Sequence, residues 1–185
     1  MDVKKIDVGT VLVSEPFMLD SYFKRSVVLV GEYSDEGAIG FILNKPTDLR
    51  VTDALEDFPE INSLLYFGGP LQTDTIHFLH TLNYLEGSKQ IAPGIYWGGD
   101  LEMLKLMIDI KQVTPENIRF YAGYTGWGSY QLVDELVKNK WIVSNKNPIR
   151  YVMSDETHEM WGTVLRDLGK SYSVLANFPD EPSLN

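Results

Sequence analysis

The chain contains no cysteine, only three histidines and no long apolar run. Without cysteine it forms no disulfide, no thiolate metal site and no cysteine nucleophile. No apolar stretch approaches the roughly 20 residues that cross a bilayer. The first ten residues also lack the apolar segment of a signal peptide. These absences lead us to expect a soluble, cytoplasmic protein that makes no membrane contact.

Positive charge is scarce as well. The 185 residues include 16 Lys and Arg against 26 Asp and Glu, so the formal net charge is -10 and the pI is about 4.7. A nucleic-acid backbone is bound by clustered Lys and Arg side chains, and the basic residues of this chain are scattered. We therefore do not expect direct nucleic-acid binding. We expect a protein or small-molecule partner instead.

Apolar periodicity predicts an α+β fold. Runs rich in β-branched and aromatic residues predict strands at 10–14, 25–32, 38–43, 64–67, 76–82, 95–97 and 141–143. A weak helix is predicted at 52–55, a longer one after the cap Asp100, and a last one between Ser154 or Asp155 and Gly169. The strands come first and the helices later, without a regular alternation, which favours α+β over a doubly wound parallel sheet. The length fits one domain, 1–185, with a loosely held tail at 177–185.

The segment 118–141 is the most informative part of the chain. Alternating apolar residues predict a strand at 118–122, and helical spacing predicts a helix after Ser129. Between them, 123–129 is interpreted as a strand-to-helix turn in which three glycines surround Trp127. Glycines at a helix start can bind an anion, but the spacing G-x-x-G-x-G matches neither nucleotide fingerprint. Tight packing under Trp127 is therefore the favoured interpretation, with ligand contact as the alternative.

The histidine pair His77 and His80 has the spacing H-x-x-H. On a strand this spacing sends the two rings to opposite faces, so they do not share a metal ion. We interpret His80 as a structural ring that donates to a neighbour, with a general-base role as the alternative. No nucleophile motif surrounds Ser26 or Ser129. We therefore assign no catalytic residue, no metal and no cofactor.

Three glycine- and proline-rich segments end strands, and we predict that they converge in one groove. The alternative is that these segments only form turns, because Gly and Pro supply the backbone angles that turns require. The predicted ligand or partner groove consists of Asn44, Lys45, Pro46, Gly68, Gly69, Pro70, His80, Gly123, Tyr124, Gly126, Trp127, Gln131 and Glu135. Gln131 has an amide that can reach a loop or a ligand.

An ordered set of motifs resembles the YqgE/AlgH family over nearly the whole chain. The pieces are GTVLVS at 9–14, EGAIGFILNKP at 36–46, GGPL at 68–71, Leu79-His80, GYTGW at 123–127, Gln131, Glu135 and Trp141. The family pattern usually has Arg where Lys45 stands. The resemblance implies an α+β fold with a bent, partly barrel-like mixed sheet flanked by helices. Most members have no described activity, and some carry the label of transcriptional regulator.

Together these observations favour a non-catalytic, cytoplasmic binding or regulatory protein. An enzyme is the alternative, acting on a small ligand in a groove formed by the Asn44, Gly69 and Trp127 loops. A deep polar pocket at those loops would favour the enzyme, whereas a flat apolar patch would favour a protein partner.

Overall fold

The structure, a computed structural model, describes residues 6–144 and 146–179. Its strands are β1 (Val11–Ser14), β2 (Val27–Ser34), β3 (Gly37–Ile42), β4 (Pro46–Arg50), β5 (Leu64–Phe67), β6 (Leu71–His80), β7 (Lys89–Ala92), β8 (Ile95–Trp97), β9 (Ile118–Gly128) and β10 (Trp141–Ser144). Its helices are α1 (Val51–Ala54), α2 (Leu101–Asp109), α3 (Gln131–Val137), α4 (Ile149–Val152), α5 (Thr157–Asp167) and α6 (Lys170–Ser173). A 3-10 turn, Leu175–Asn177, follows α6.

The strands form one mixed sheet in the order β10-β1-β2-β3-β9-β6-β8-β7, and β4 joins it through β5. β5 runs parallel to β9, whereas the strands along the main path pair antiparallel. The sheet is bent, as the 3.1 Å distance between Lys89 of β7 and Glu32 of β2 shows. It does not close into a barrel, since β10 and β7 end the strand order. The predicted α+β fold with a bent mixed sheet and flanking helices is confirmed.

Strand β2 shows why the central strands are apolar on both faces. Val27 and Leu29 pack into one core layer with Trp161 of α5. Val28 and Val30 pack into a second layer on the other face, with Trp127 and other apolar side chains. Successive residues of a strand point to opposite faces, so a sheet covered on both sides needs an unbroken apolar run.

The helices cover the sheet at different places. α5 packs on β1 and β2, α6 packs on α5, and α3 packs on β3, β9 and β10. The buried residues of α2, Leu104, Met107 and Ile108, form a third core cluster with Phe120. Asp100 caps α2 as predicted, accepting a hydrogen bond from the Met103 N–H at 2.7 Å. Among the described residues, no helix combines the length and the hydropathy that crossing a membrane requires.

The predicted strand-to-helix turn at 123–129 is wrong. β9 continues to Gly128, and α3 begins at Gln131. The glycines do not form a turn; they let β9 pass close to its neighbours. Gly123 has a φ of +66°, and a Cβ there would lie 2.6 Å from the carbonyl oxygen of Leu71. The alternative of an anion site depended on a helix that starts at Ser129. Because no helix starts there, this alternative has no structural basis.

Other boundaries differ from expectation. Asp155 does not cap α5, whose N-cap is Glu156 without a side-chain cap bond. The strands β4 and β7 were not predicted, because β4 is largely exposed, β7 is half-exposed, and neither has an apolar run. In the tail predicted to be loose, Phe178 packs edge-to-face on Phe17 with ring centroids 5.4 Å apart. Residues 180–185 lie outside the described part of the chain.

Candidate functional site

Asn44 and Lys45 tie backbone segments together. The Asn44 amide accepts from the Val27 N–H at 2.9 Å and donates to the Arg25 carbonyl at 2.9 Å. The Lys45 ammonium donates to the carbonyls of Ser21 and Tyr22, at 3.2 and 2.6 Å. Burial lowers the pKa of Lys45, and the charge of Asp20 opposes that effect. The functional groups of both side chains are therefore engaged in holding the loop before β2.

Three of the four glycines in the predicted groove, Gly68, Gly69 and Gly123, pack backbone against backbone. A Cβ on Gly68 would lie 2.3 Å from the carbonyl oxygen of Gly123, and one on Gly69 would lie 2.2 Å from the carbonyl carbon of Tyr124. Hydrogen bonds from Phe67 N–H to Lys45 and from Ile42 N–H to the Gly68 carbonyl join these residues to the 44–46 segment. The structure thus brings 44–46, 68–70 and Gly123 together, but the glycines pack too closely to hold a ligand between them.

Trp127, Gln131 and Glu135 form a separate cluster. The Gln131 amide accepts from the Gly128 N–H at 3.0 Å and donates to Glu135 at 3.1 Å. Gly128 pairs with Gly37 at the start of β3, whereas Asn44 follows the end of β3. Asn44 lies seven residues after Gly37, which along an extended chain is roughly 23 Å. The structure therefore does not bring Gln131 and Asn44 into one groove.

His80 is a buried structural ring. Its Nε2 lies 2.7 Å from the carbonyl oxygen of Gly98, and its Nδ1 accepts from the Leu82 N–H at 3.2 Å. These contacts place the proton on Nε2, which donates to Gly98. Burial lowers the pKa of His80, and the hydrogen bond to Gly98 opposes that effect. His77, three residues earlier, lies among other rings on the opposite face of the sheet.

The other predicted residues lie along the same strands. Pro46 begins β4 and pairs with Tyr66. Tyr124 is half-buried and contacts the His77 ring. Gly126 pairs with Ile39 of β3. In the described part of the chain, no group of three or more His, Cys, Asp or Glu is placed to hold a metal ion.

An open hollow lies beside the β2–β3 hairpin, and sequence reasoning missed it. We call it the hairpin groove. Its volume is about 400 Å³, and it is lined by Val8, Glu32, Tyr33, Ser34, Glu36, Gly37, Ala38, Ile39, Lys89 and Trp127. Of the predicted site residues, Trp127 alone belongs to this lining. The hydrophobic and turn patterns of β2 and β3 gave no signal for it, because the bend that brings Lys89 to Glu32 arises from the curvature of the whole sheet.

A second hollow continues from the hairpin groove at Val8, which lines both. We call it the edge hollow. Its volume is about 360 Å³, and it is lined by Val8, Gly9, Thr10, Ala92, Pro93, Ser144, Lys146, Asn147 and Pro148. β7 contributes Lys89 to the first hollow and Ala92 to the second, so the two hollows follow this strand. β7 is the last strand of the sheet order, and in the described residues no strand pairs with its outer side.

The charges along the two hollows are arranged unevenly. Glu32, Glu36 and Lys89 line the hairpin groove, where Glu32 and Lys89 form a half-exposed ion pair. Lys146 lines the edge hollow, and none of the described residues that line it is acidic. One end is therefore mixed to acidic, and the other is basic.

An aromatic cluster adjoins the hairpin groove. The Lys89 ammonium lies 5.9 Å from the Trp97 ring centroid, a cation–π distance. The His77 ring contacts Phe41, Trp97 and Tyr124 with centroids 5.3 to 5.8 Å apart. Burial lowers the pKa of His77, and its buried Nε2 has no partner among the described residues. These rings form an aromatic cluster beside Lys89, which itself lines the hairpin groove.

Comparisons with known proteins agree on one relationship. A family model described as AlgH-like matches residues 11–173. The chain is 39% identical over 185 residues to a UPF0301 protein of Chlorobaculum parvum, covering all of this chain and 98% of the relative. It is 43% identical over 180 residues to a UPF0301 protein of Cytophaga hutchinsonii, covering 96% of this chain and 98% of that one.

Two solved structures share the fold. Protein DIP2367 of Corynebacterium diphtheriae superposes with a TM-score of 0.76 at 24% identity, covering 96% of this chain and 95% of that one. The AlgH protein of Pseudomonas aeruginosa, solved in solution, superposes with a TM-score of 0.71 at 23% identity, covering 95% and 98%. At these identities the likeness concerns the fold.

Proposed function

The chain belongs to the AlgH-like family, and on that premise we propose that it is a non-catalytic, cytoplasmic binding protein. It holds an extended segment of a partner protein along β7, in the hairpin groove and the edge hollow. The observation that carries the proposal is the unpaired outer side of β7 between two hollows that share Val8. An extended peptide adds to such an edge through main-chain hydrogen bonds, and flanking pockets take its side chains.

The charges of the lining define the partner segment. Lys146 at the edge hollow favours an acidic side chain, and Glu32 with Glu36 at the hairpin groove favours a basic one. The Glu32–Lys89 ion pair is half-exposed, and such a pair contributes only about 0–1 kcal/mol. A bound segment can therefore replace it at little cost. The partner segment is extended, with unlike charges near its two ends.

Binding fits the geometry better than the enzyme alternative does. The titratable groups His80, Lys45 and Tyr151 have shifted pKa values, and each has a structural hydrogen-bond partner. None of them is among the residues lining either hollow. A perturbed pKa in a cleft is the usual sign of catalysis. The three groups with shifted pKa values make hydrogen bonds that stabilise the fold. A regulatory effect would then act through the partner protein.

A displayed library of random twelve-residue peptides tests the proposal. Peptides selected on the wild-type protein are re-measured against Glu32→Lys and Lys146→Glu, and against Lys111→Glu as a matched control. Lys111 is an exposed lysine after α2 that lines neither hollow. We expect the two groove variants to lose at least about tenfold in affinity, or roughly 1.4 kcal/mol, while the control keeps it. Equal affinity for all four proteins would refute the site.

A further inference from the structure

Arg119 is a buried cation with an unused donor. It lies in β9, and its side chain is only 4% exposed. Its guanidinium donates to the carbonyls of Met153 at 3.0 Å, Ile118 at 3.1 Å and Pro115. Its Nε is buried and has no partner among the described residues. A buried donor without an acceptor costs free energy, so the unpaired Nε of Arg119 destabilises the fold.

Asp155 contacts this guanidinium from the solvent side. Its Oδ1 accepts from Arg119 Nη2 at 2.6 Å, although the Asp155 side chain is 93% exposed. The carboxylate thus lies at the boundary between water and a cation that water hardly reaches. A carboxylate can take two nitrogens of a guanidinium at once in a planar fork. Asp155 uses one nitrogen, and Nε is left over.

Two phenols flank the same guanidinium. Tyr66 and Tyr121 pair across β5 and β9, with ring centroids 5.7 Å apart. The Tyr121 hydroxyl is buried and lacks a partner in the described part of the chain. Burial raises the pKa of Tyr66, and both the charge of Arg119 and a hydrogen bond between the Arg119 side chain and the phenol oppose that rise. The surroundings of Arg119 therefore hold more hydrogen-bond donors than Asp155 satisfies.

We propose that Asp155 occupies, from within the chain, a binding site for the carboxylate of another molecule. In this site an incoming carboxylate displaces Asp155 and bonds Nε and Nη2 of Arg119 together. It gains one charge-assisted hydrogen bond that Asp155 does not make, which is the reason that it can compete. The site does not depend on the hairpin groove, because neither Arg119 nor Asp155 lines that groove.

The test removes the internal carboxylate and supplies an external one. In Asp155→Ala, acetate is titrated at constant ionic strength set with chloride, and the Nε–H signals of the arginines are followed by ¹H–¹⁵N NMR. The chain has five arginines, so these signals form a small set. We expect one signal to shift saturably. The midpoint should be at least about tenfold lower than in the wild type, where Asp155 competes at an effective concentration in about the millimolar range or above.

Asp134→Ala is the matched control. Asp134 bonds Lys138 at the same distance, 2.6 Å, but Lys138 is 61% exposed. Acetate should therefore not raise the melting temperature of Asp134→Ala more than chloride does, whereas it should raise that of Asp155→Ala. Asp155→Asn provides a second variant that keeps the side-chain shape, and acetate should stabilise it as well.

Further probes separate the sources of the carboxylate. N-acetyl-glycyl-alanine with a free carboxylate is compared with its amide; tighter binding than acetate indicates a peptide C-terminus, and equal binding indicates a small carboxylate. Binding of the amide as strongly as the acid would overturn the proposal. So would the absence of a saturable shift in both Asp155 variants, since the contact would then be a structural ion pair.

Discussion

Trp127 and Trp141 donate their indole N–H groups to the same carboxylate oxygen, Oε2 of Glu135, at 3.0 and 2.8 Å. The two rings meet edge-to-face with centroids 5.8 Å apart, and both are buried. One side chain of α3 therefore holds the ends of β9 and β10 together. Gln131 adds a third donor to the same carboxylate, at Oε1.

Glu135→Ala should lower the free energy of unfolding by about 2–6 kcal/mol. The reason is that two buried indole N–H groups lose their acceptor, at about 1–3 kcal/mol each. Urea denaturation measures the change, with Asp134→Ala as control. Asp134 forms an exposed pair with Lys138, which contributes about 0–1 kcal/mol. Equal losses in the two variants would show that the indole contacts do not stabilise the fold.

Gly123→Ala should destabilise the chain more than Gly98→Ala. Both glycines have positive φ, +66° and +69°, so alanine strains the backbone alike at either position. A Cβ on Gly123 would also lie 2.6 Å from the Leu71 oxygen, while one on Gly98 meets nothing within 4 Å. Overpacking of this kind costs about 1–3 kcal/mol. We expect a difference of that size in chemical denaturation, and no difference would contradict the close approach of β9 to β6.

His77→Phe should weaken the pH dependence of stability. Burial lowers the pKa values of His77 and His80 in the folded chain below the ordinary histidine value of about 6.5. Below that value the unfolded chain binds protons that the folded chain does not, so the free energy of unfolding falls as the pH drops. Phenylalanine keeps the ring contacts and loses no hydrogen bond, since His77 Nε2 has no described partner.

Denaturation between pH 5 and 7.5 checks this prediction. The variant should match or exceed the wild type in stability at pH 7.5 and show a shallower decline toward pH 5. His158→Gln, at an exposed position of α5, serves as the control and should leave the decline unchanged. A decline in His77→Phe as steep as in the wild type would remove His77 from the explanation.

The isolated protein should not bind duplex DNA at physiological salt. Its net charge is -10, and such a chain repels the phosphate backbone in the absence of a basic stripe. A gel-shift titration over a range of salt concentrations measures this. Sub-micromolar, sequence-selective retardation would contradict both this prediction and a regulatory role exerted through a protein partner.

Local patterns predicted most of the sheet. The run at 25–32 and the strands at 64–67 and 95–97 correspond to β2, β5 and β8. Their content of β-branched and aromatic residues alone predicts that these segments are strands. The α2 cap at Asp100 was equally readable, because capping depends on neighbours within one turn.

The features that the sequence did not predict depend on contacts between segments far apart in the chain. The glycines of 123–128 predict a turn locally, yet β9 continues through them, because it pairs with β6 up to Tyr124 and with β3 from Thr125 to Gly128. β7 is short, and half of it is exposed, so no apolar run marks it. The hairpin groove draws Val8, Glu32, Lys89 and Trp127 from four segments. Its position follows from the bend of the whole sheet, which no local pattern contains.

Hydrogen exchange of the β7 amides tests the binding site most directly. Amide exchange is compared in the free wild-type protein and in its complex with a peptide selected from the random library. An added strand gives the outer N–H groups of β7 an acceptor, so exchange across Lys89–Ala92 should slow on binding, and the slowing should be smaller in Glu32→Lys at the same peptide concentration. Unchanged exchange in β7, with protection elsewhere in the sheet or on α2, would contradict the account.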